Sequence, residues 1–449
     1  MNGYRRTFSY PCRIPVNPHR QIGISLIEIM VAMVIDLLLL IVITAYIINQ
    51  SSLRNELDKA SRQMENGRYA MFILQQDINN AGYYGSWEPP ITQPASLPDP
   101  CSITPTTADL SLVMPIQGYD NPSTPPSCLP DYKTGTDILV IRRADTALPE
   151  MIPGTNILLP DTNILDAERR SQGSGPLTAP VSNEIYLQAG SASEASPFDP
   201  ALGIQNADIQ YGNPVGFALG KIPSNNLNPN PIGTKADGTN PSVILKKANY
   251  VNPSTLIYAS PLNNDLRIAA NIHKYHVHIY FISPCSIATG TATDAAGINK
   301  ACRTSPPLDD NGKPIPTLKR LELKVPTGKT ERQWVEVPLV EGIDNIQFDY
   351  GIDRDLDGAP DSTSLLLDNS YLKTPASTDW INVMVVRVNI LARNNEFTFA
   401  CPSTNAPPYC TNVYNLGLHG TVGPFTDGYK RHVYSESVLV VNPVKRRQQ

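Results

Sequence analysis

Four groups of residues have types and spacings that could do chemistry. Asp353, Asp355, Asp357 and Gly358 form D-x-D-x-D-G, the opening of a calcium loop. Acids at its first, third and fifth positions converge as the chain curls, and the glycine permits the sharp turn. Ala359 would add a backbone carbonyl and Asp361 falls at the ninth position, but the twelfth is Ser364 rather than a bidentate glutamate. Two readings stand: a structural calcium ion, or an Asp/Gly-rich hairpin turn. Second, six cysteines follow residue 100, at 101, 128, 285, 302, 401 and 410, and a seventh, Cys12, lies near the start. An even number without C-x-x-C favours disulfides over zinc. Pairing neighbours closes the shortest loops and predicts Cys101–Cys128, Cys285–Cys302 and Cys401–Cys410. Third, His273, His276 and His278 cluster on one predicted strand, where alternation puts only His276 and His278 on the same face. Partly exposed strand histidines are favoured there over a metal site. Fourth, Glu28 and Asp36 sit inside an apolar run, where an unpaired acid at the bilayer centre costs roughly 2.5–3.5 kcal/mol. No catalytic constellation accompanies these groups: G-x-S-x-G, a P-loop, a Rossmann glycine pattern and H-E-x-x-H are all absent, and nothing favours an enzyme.

The apolar run defines the element that must carry those two acids. Ile24 to Ile48 is 25 residues, enough to cross a roughly 30 Å hydrocarbon core as a helix. Arg5, Arg6, Arg13 and Arg20 precede it with no acid among them, which marks the cytoplasmic side. No small-x-small cleavage site follows the run; the small residue at a boundary is Gly23, in front of it. A cut after Gly23 would make Glu28 the fifth residue. The new α-amino group and the carboxylate could then neutralise each other, within one chain or between neighbours.

Beyond the run, Leu53, Leu57, Ala60, Met64, Gly67, Met71, Leu74, Ile78 and Ala81 recur at 4-3-4-3 spacing. That stripe belongs to a helix packed along another element. No proline occurs from 19 to 88, so one helix of about 58 residues is predicted from Ile24 to about Ala81, roughly 87 Å long. Gly82 and Gly85 supply its stop. The rest of the chain reads as strands: 137–145, 183–190, 273–285, 318–325, 333–353, 380–394 and 432–443. Residues 86–136 read as a proline-rich loop region and 191–265 as a surface insertion. The predicted class is α+β, one long N-terminal helix on an antiparallel β-sheet head. The 42 prolines exclude an all-helical body, and a net charge of −5 excludes a broad nucleic-acid footprint.

G-I-S-L-I-E at 23–28 resembles the type IV prepilin motif. The stretch 64–85, the arginine-ended strand at 137 and the blocks Y-F-I-S-P-C, V-E-G-I-D-N-I-Q-F-D-Y-G-I-D and W-I-N-V resemble PilW-type minor pilins. The resemblance implies cleavage between Gly23 and Ile24 by a prepilin peptidase, N-methylation of Ile24, and Glu28 as the assembly glutamate. It implies a leader at 1–23, a transmembrane and filament-core helix at 24–48, an amphipathic helical half at 49–82, and a head at 83–449. The implied partners are prepilin peptidase, other minor pilins, the major pilin and the inner membrane; no cofactor is required, and calcium enters only as the structural ion of the first reading. The expected function is pilus assembly at the tip or in priming, supporting motility and adhesion. Ile24 stands where phenylalanine is usual, and Asp36 where the family has a small or apolar residue. Rival readings are a type II secretion pseudopilin, a membrane-tethered adhesin whose insertions bind a surface, and an anchored periplasmic enzyme.

Overall fold

The computed structural model describes residues 25–85, 97–102, 114–146, 182–190, 216–222, 272–293, 299–326, 332–361, 370–398, 401–402, 404 and 408–443. Gly23, Ile24 and Ser364 lie outside them. The chain divides into two compact units, Met1–Asp58 and Lys59–Gln449.

A single helix, α1, runs from Leu26 to Asn80, 55 residues without a break. Its first part is apolar on every side except at Glu28 and Asp36, and the side chains from Leu26 to Ile48 are exposed in the first unit. An 18-residue window within it has a mean hydropathy of 2.9, long and apolar enough to cross a membrane. The helix stops where Gly82 and Gly85 adopt left-handed φ values of 72° and 71°. The Gly82 N–H then bonds the Arg142 carbonyl at 2.9 Å, which turns the chain onto the sheet.

The second unit holds thirteen strands among the described residues. The larger sheet contains β1 (Ile116–Tyr119), β2 (Ile138–Ala144), β3 (Ser182–Gly190), β4 (Gly216–Ile222), β5 (Ile272–Ser283), β6 (Thr317–Lys324) and β7 (Gln333–Glu341). Its path is β1-β2-β5-β3-β4, with β6 also on β5 and β7 on β6, all pairs antiparallel. The smaller sheet has the order β13-β10-β8-β9, built from β8 (Ile343–Ile352), β9 (Tyr371–Leu372), β10 (Val383–Arg393) and β13 (Arg431–Leu439). β11 (Tyr414–Asn415) and β12 (Thr421–Val422) form a two-stranded ribbon. The chain passes between the two large sheets at Gly342, whose φ is 75°. A side chain there would meet the Arg393 carbonyl at 2.6 Å, so the crossing needs glycine.

Period-2 alternation separates two cores. Leu139, Ile141, Tyr280, Ile282 and Leu318 face α1 and the smaller sheet. Ile138, Val140, Tyr275, Val277, Ile279, Phe281, Leu321 and Trp334 form a core on the opposite face, under Leu129 and Tyr132. The stripe of α1 enters the first core from Gly67 onward: Ala70, Leu74 and Ile78 are fully buried among Ile346, Phe348, Val386, Val388, Ile390 and Val438. The close approach occurs at Gly67, where a Cβ would collide with the Tyr434 ring.

All seven strand regions expected from the sequence contain strands. β1, however, forms inside the region read as loop at 86–136, and β4 inside the insertion read at 191–265. β1 is only four residues long and is fixed by tertiary contact. Ile116 is fully buried, and Gly118 sits under the Tyr350 hydroxyl. Such a short segment has no period to read.

Leu74 is fully buried in α1, so Leu74→Ala is expected to cost about 2–5 kcal/mol. The check is a lower denaturant midpoint for the detergent-solubilised chain.

Candidate functional site

The helix is fastened to the head by polar bonds as well as by its stripe. Asp77, 5% exposed, projects from α1 toward the larger sheet. Its Oδ1 accepts from Arg143 Nε at 2.5 Å, and its Oδ2 meets His278 Nδ1 at 2.6 Å and the Tyr280 hydroxyl at 2.8 Å. The partners come from β2 and β5 by strand parity, since Arg143 follows Ile141, and His278 precedes Tyr280, on the helix-facing side. The lane continues into β6, where Tyr280 pairs with Arg320 and His278 with Glu322 across the ladder. Burial alone would raise the Asp77 carboxyl; His278 and Arg143 overcome it and hold the group well below the usual carboxylate range. Gln63 makes a second attachment, donating to the carbonyls of Ala392 at 2.9 Å and Lys430 at 3.2 Å. Asn442 closes the far end, donating to the Ala81 carbonyl at 3.1 Å.

His278 is buried at 3% exposure, which corrects the expectation of partly exposed strand histidines. The cause is Asp77, an acid three residues after Leu74 and next to Ile78 that strand patterning does not reveal. His276 shares its face, with ring centroids 5.2 Å apart, and lies 3.4 Å from Asp145. The preceding residue pair splits in the same way. Arg142, next to Arg143, points into the opposite core, fully buried, donating to Met114 O and Gln117 Oε1.

The two large sheets are tied by Asp137 at the start of β2. Its carboxylate accepts the Phe348 N–H of β8 at 2.8 Å and the Asn121 N–H at 2.9 Å. Burial raises this carboxyl to about 7 despite those bonds. At the base of β8, Asp344 pairs with Lys133 and with Arg431 Nε at 2.7 Å. Burial pushes Asp344 up, but Lys133, Arg431 and Arg393 prevail and hold it at about 2.

The acidic loop follows β8 directly. One carboxylate oxygen from each of Asp353, Asp355 and Asp361 falls within 4.8 Å of the others. Asp353 is buried and accepts the Leu356 and Gly358 N–H groups at 2.7 and 3.1 Å, curling the loop through left-handed Leu356 and Gly358. Asp357 stands outside that trio and accepts the Ala359 N–H at 2.8 Å. Arg354 is drawn away to Asp379 at 2.9 Å, and the Asp361 N–H returns to the Ile352 carbonyl at 2.7 Å.

Among the described residues three disulfides join Cys101 to Cys128, Cys285 to Cys302 and Cys401 to Cys410, across 27, 17 and 9 residues. The first holds residues 97–102 against the second core, where the Trp334 indole donates to the Cys101 carbonyl at 2.9 Å. The other two close the connections β5–β6 and β10–β13. At the start of α1, the Ser25 N–H donates to Glu28 Oε2 at 2.9 Å, so this acid folds back over the first turn.

One long helix, apolar along its first part and seated on antiparallel sheets along its second, defines a pilin-like protein. Residues 308–442 match the family described as PilW, Type IV Pilus-assembly protein W. That match supports a PilW-type pilin with a part in type IV pilus assembly. It spans β6 to β13, and so includes the whole smaller sheet on which the helix stripe sits. Neither the curated proteins nor the solved structures compared with the chain give a match.

The shifted carboxyls set the pH profile. Asp344 and Asp77 are lowered from the ordinary 3.8, so the stability they contribute is present above about 4 and is lost as pH falls toward 2. Asp137 is raised, so its contribution is present below about 4 and is lost as pH rises through about 7. A thermal-melt series is expected to peak between these limits, and Asp344→Asn is expected to shrink the fall on the acid side.

Proposed function

We propose that this chain is a minor pilin of the type IV pilus, processed by prepilin peptidase and used in initiating or capping the filament. The leader at 1–23 stays in the cytoplasm, the helix spans the inner membrane, and the head folds beyond it. The peptidase cuts between Gly23 and Ile24, and Ile24 is N-methylated. The processed chain then leaves the membrane for a pilus at the cell surface, where it joins other minor pilins and the major pilin. Its contribution to motility and adhesion follows from that position and requires no catalytic step.

The observation that carries this reading is the continuity of α1. One unbroken helix of 55 residues joins an apolar span, which opens just after G-I-S-L-I-E, to a stripe buried on the sheet of the matched region. An ordinary signal anchor needs no helix that continues from its apolar span into the seat of the head, whereas a subunit inserted by its helix and displayed by its head does. The folded-back Glu28 carboxylate lies at the level where a new N-terminal amine would arise, and pairing the two would remove the cost of a lone acid in the filament core. The head, 367 residues from 83 to 449, is large for dense packing along a shaft, which favours the tip.

We also propose that the 353–361 loop takes a structural calcium ion. The convergence of Asp353, Asp355 and Asp361 next to a buried strand end supports it. The ion would hold the end of β8; the bonds already made by Asp353 hold the loop curled.

Mass spectrometry of sheared pili is expected to find a methylated peptide beginning at Ile24. A chain beginning at Met1 and confined to membranes would overturn the minor-pilin reading. Glu28→Val is expected to leave cleavage intact and to abolish incorporation into pili. Calorimetric titration with calcium is expected to give one site that is lost in Asp353→Asn/Asp361→Asn; no heat above the blank in the unaltered chain would remove the ion.

A further inference from the structure

From Gln21 to Leu53 the chain contains two acids, Glu28 and Asp36, and no Lys, Arg or His. On the reading proposed above, each processed chain brings one α-amino group into the apolar layer. A set of copies of this chain therefore holds two carboxylates for every amine, whatever its geometry. The amine goes to the level of Glu28, and Asp36 is left over.

Asp36 sits at the midpoint of the span, twelve residues from Ile24 and twelve from Ile48, about 18 Å from either end. It makes no hydrogen bond or ion pair with another described residue, and its neighbours along the helix face, Met33, Leu39 and Leu40, are exposed apolar side chains. A carboxylate there is too deep to reach the interface, and the nearest charge in its own chain lies eight residues away and has the same sign. A partner's N-terminal amine is a poor match at that depth. A helix beginning at mid-bilayer would leave its first N–H groups unbonded in hydrocarbon. A basic side chain on a continuous helix carries no such cost.

We infer that Asp36 is a pairing site for the membrane-spanning helix of a different protein, one that carries a Lys or Arg side chain within its apolar run. The pair fixes which chain this pilin meets in the membrane before the filament forms, as buried polar residues fix partner choice in helix bundles. It rests on the membrane-span reading and adds a partner of defined chemistry to it.

The test uses the full chain in its native membranes, with a photo-crosslinking residue at Leu40. The expected result is a crosslink to one different protein with a Lys or Arg in its span. That crosslink should be lost in Asp36→Asn, Asp36→Leu and Asp36→Lys and retained in Asp36→Glu. Combining Asp36→Lys with an acidic substitution at the partner's basic residue should restore it. Crosslinks only to a second copy or only to lipid, or a partner retained in Asp36→Leu, would overturn the inference. Alkaline extraction and protease protection are run on each variant. A chain released from the membrane in its unaltered form would sink the membrane-span reading and this inference together. An intact span without the charge-dependent crosslink would sink the inference alone.

Discussion

A helix that must be apolar all round in one half and one-sided in the other can be held only from the one-sided half. Asp77 sets how it is held. Its carboxylate is buried between Leu74 and Ile78, and three donors from two strands converge on it. Apolar contact alone would let the stripe slide or turn, because one leucine replaces another at little cost. A buried carboxylate has one acceptable place, since leaving it unpaired is strongly unfavourable. Gln63, Gly67 and Asn442 then act at a register already defined.

The two-sided larger sheet follows from the same requirement. Parity sends Arg143 and His278 to the helix and sends Arg142 and Tyr275 to the opposite core, so adjacent residues serve different layers. The smaller sheet is pinned to this frame by Asp137 and by the glycine crossing at Gly342. The family match falls on the strands that complete the helix seat. β1 to β5 lie outside it, and β3 and β4 extend the larger sheet's path beyond β5.

What the sequence made legible is what repeats or counts. The 4-3-4-3 stripe located the helix, the glycines at 82 and 85 located its end, and β-branched runs located the longer strands. Cysteine spacing suggested the same three pairs that the structure joins. What stayed hidden depends on which elements meet. Asp77 reads as one more polar residue beside a stripe until β2 and β5 arrive beneath it. The burial of His278 is hidden for the same reason. In the acidic loop, spacing brought Asp353, Asp355 and Asp361 onto one list with Asp357, and the curl of the backbone separated that last residue from them.

The attachment of α1 also has a mechanical side. Gln63, Asp77 and Asn442 grip the helix at three separate heights, and each bond crosses between the helix or its end and the rest of the head. Tension applied along the helix axis is therefore shared among several bonds strained in shear at once, rather than opening them one after another. The disulfides lie outside α1 and the strands and stand aside from that load path, so they limit how far the head unravels once the grip has failed.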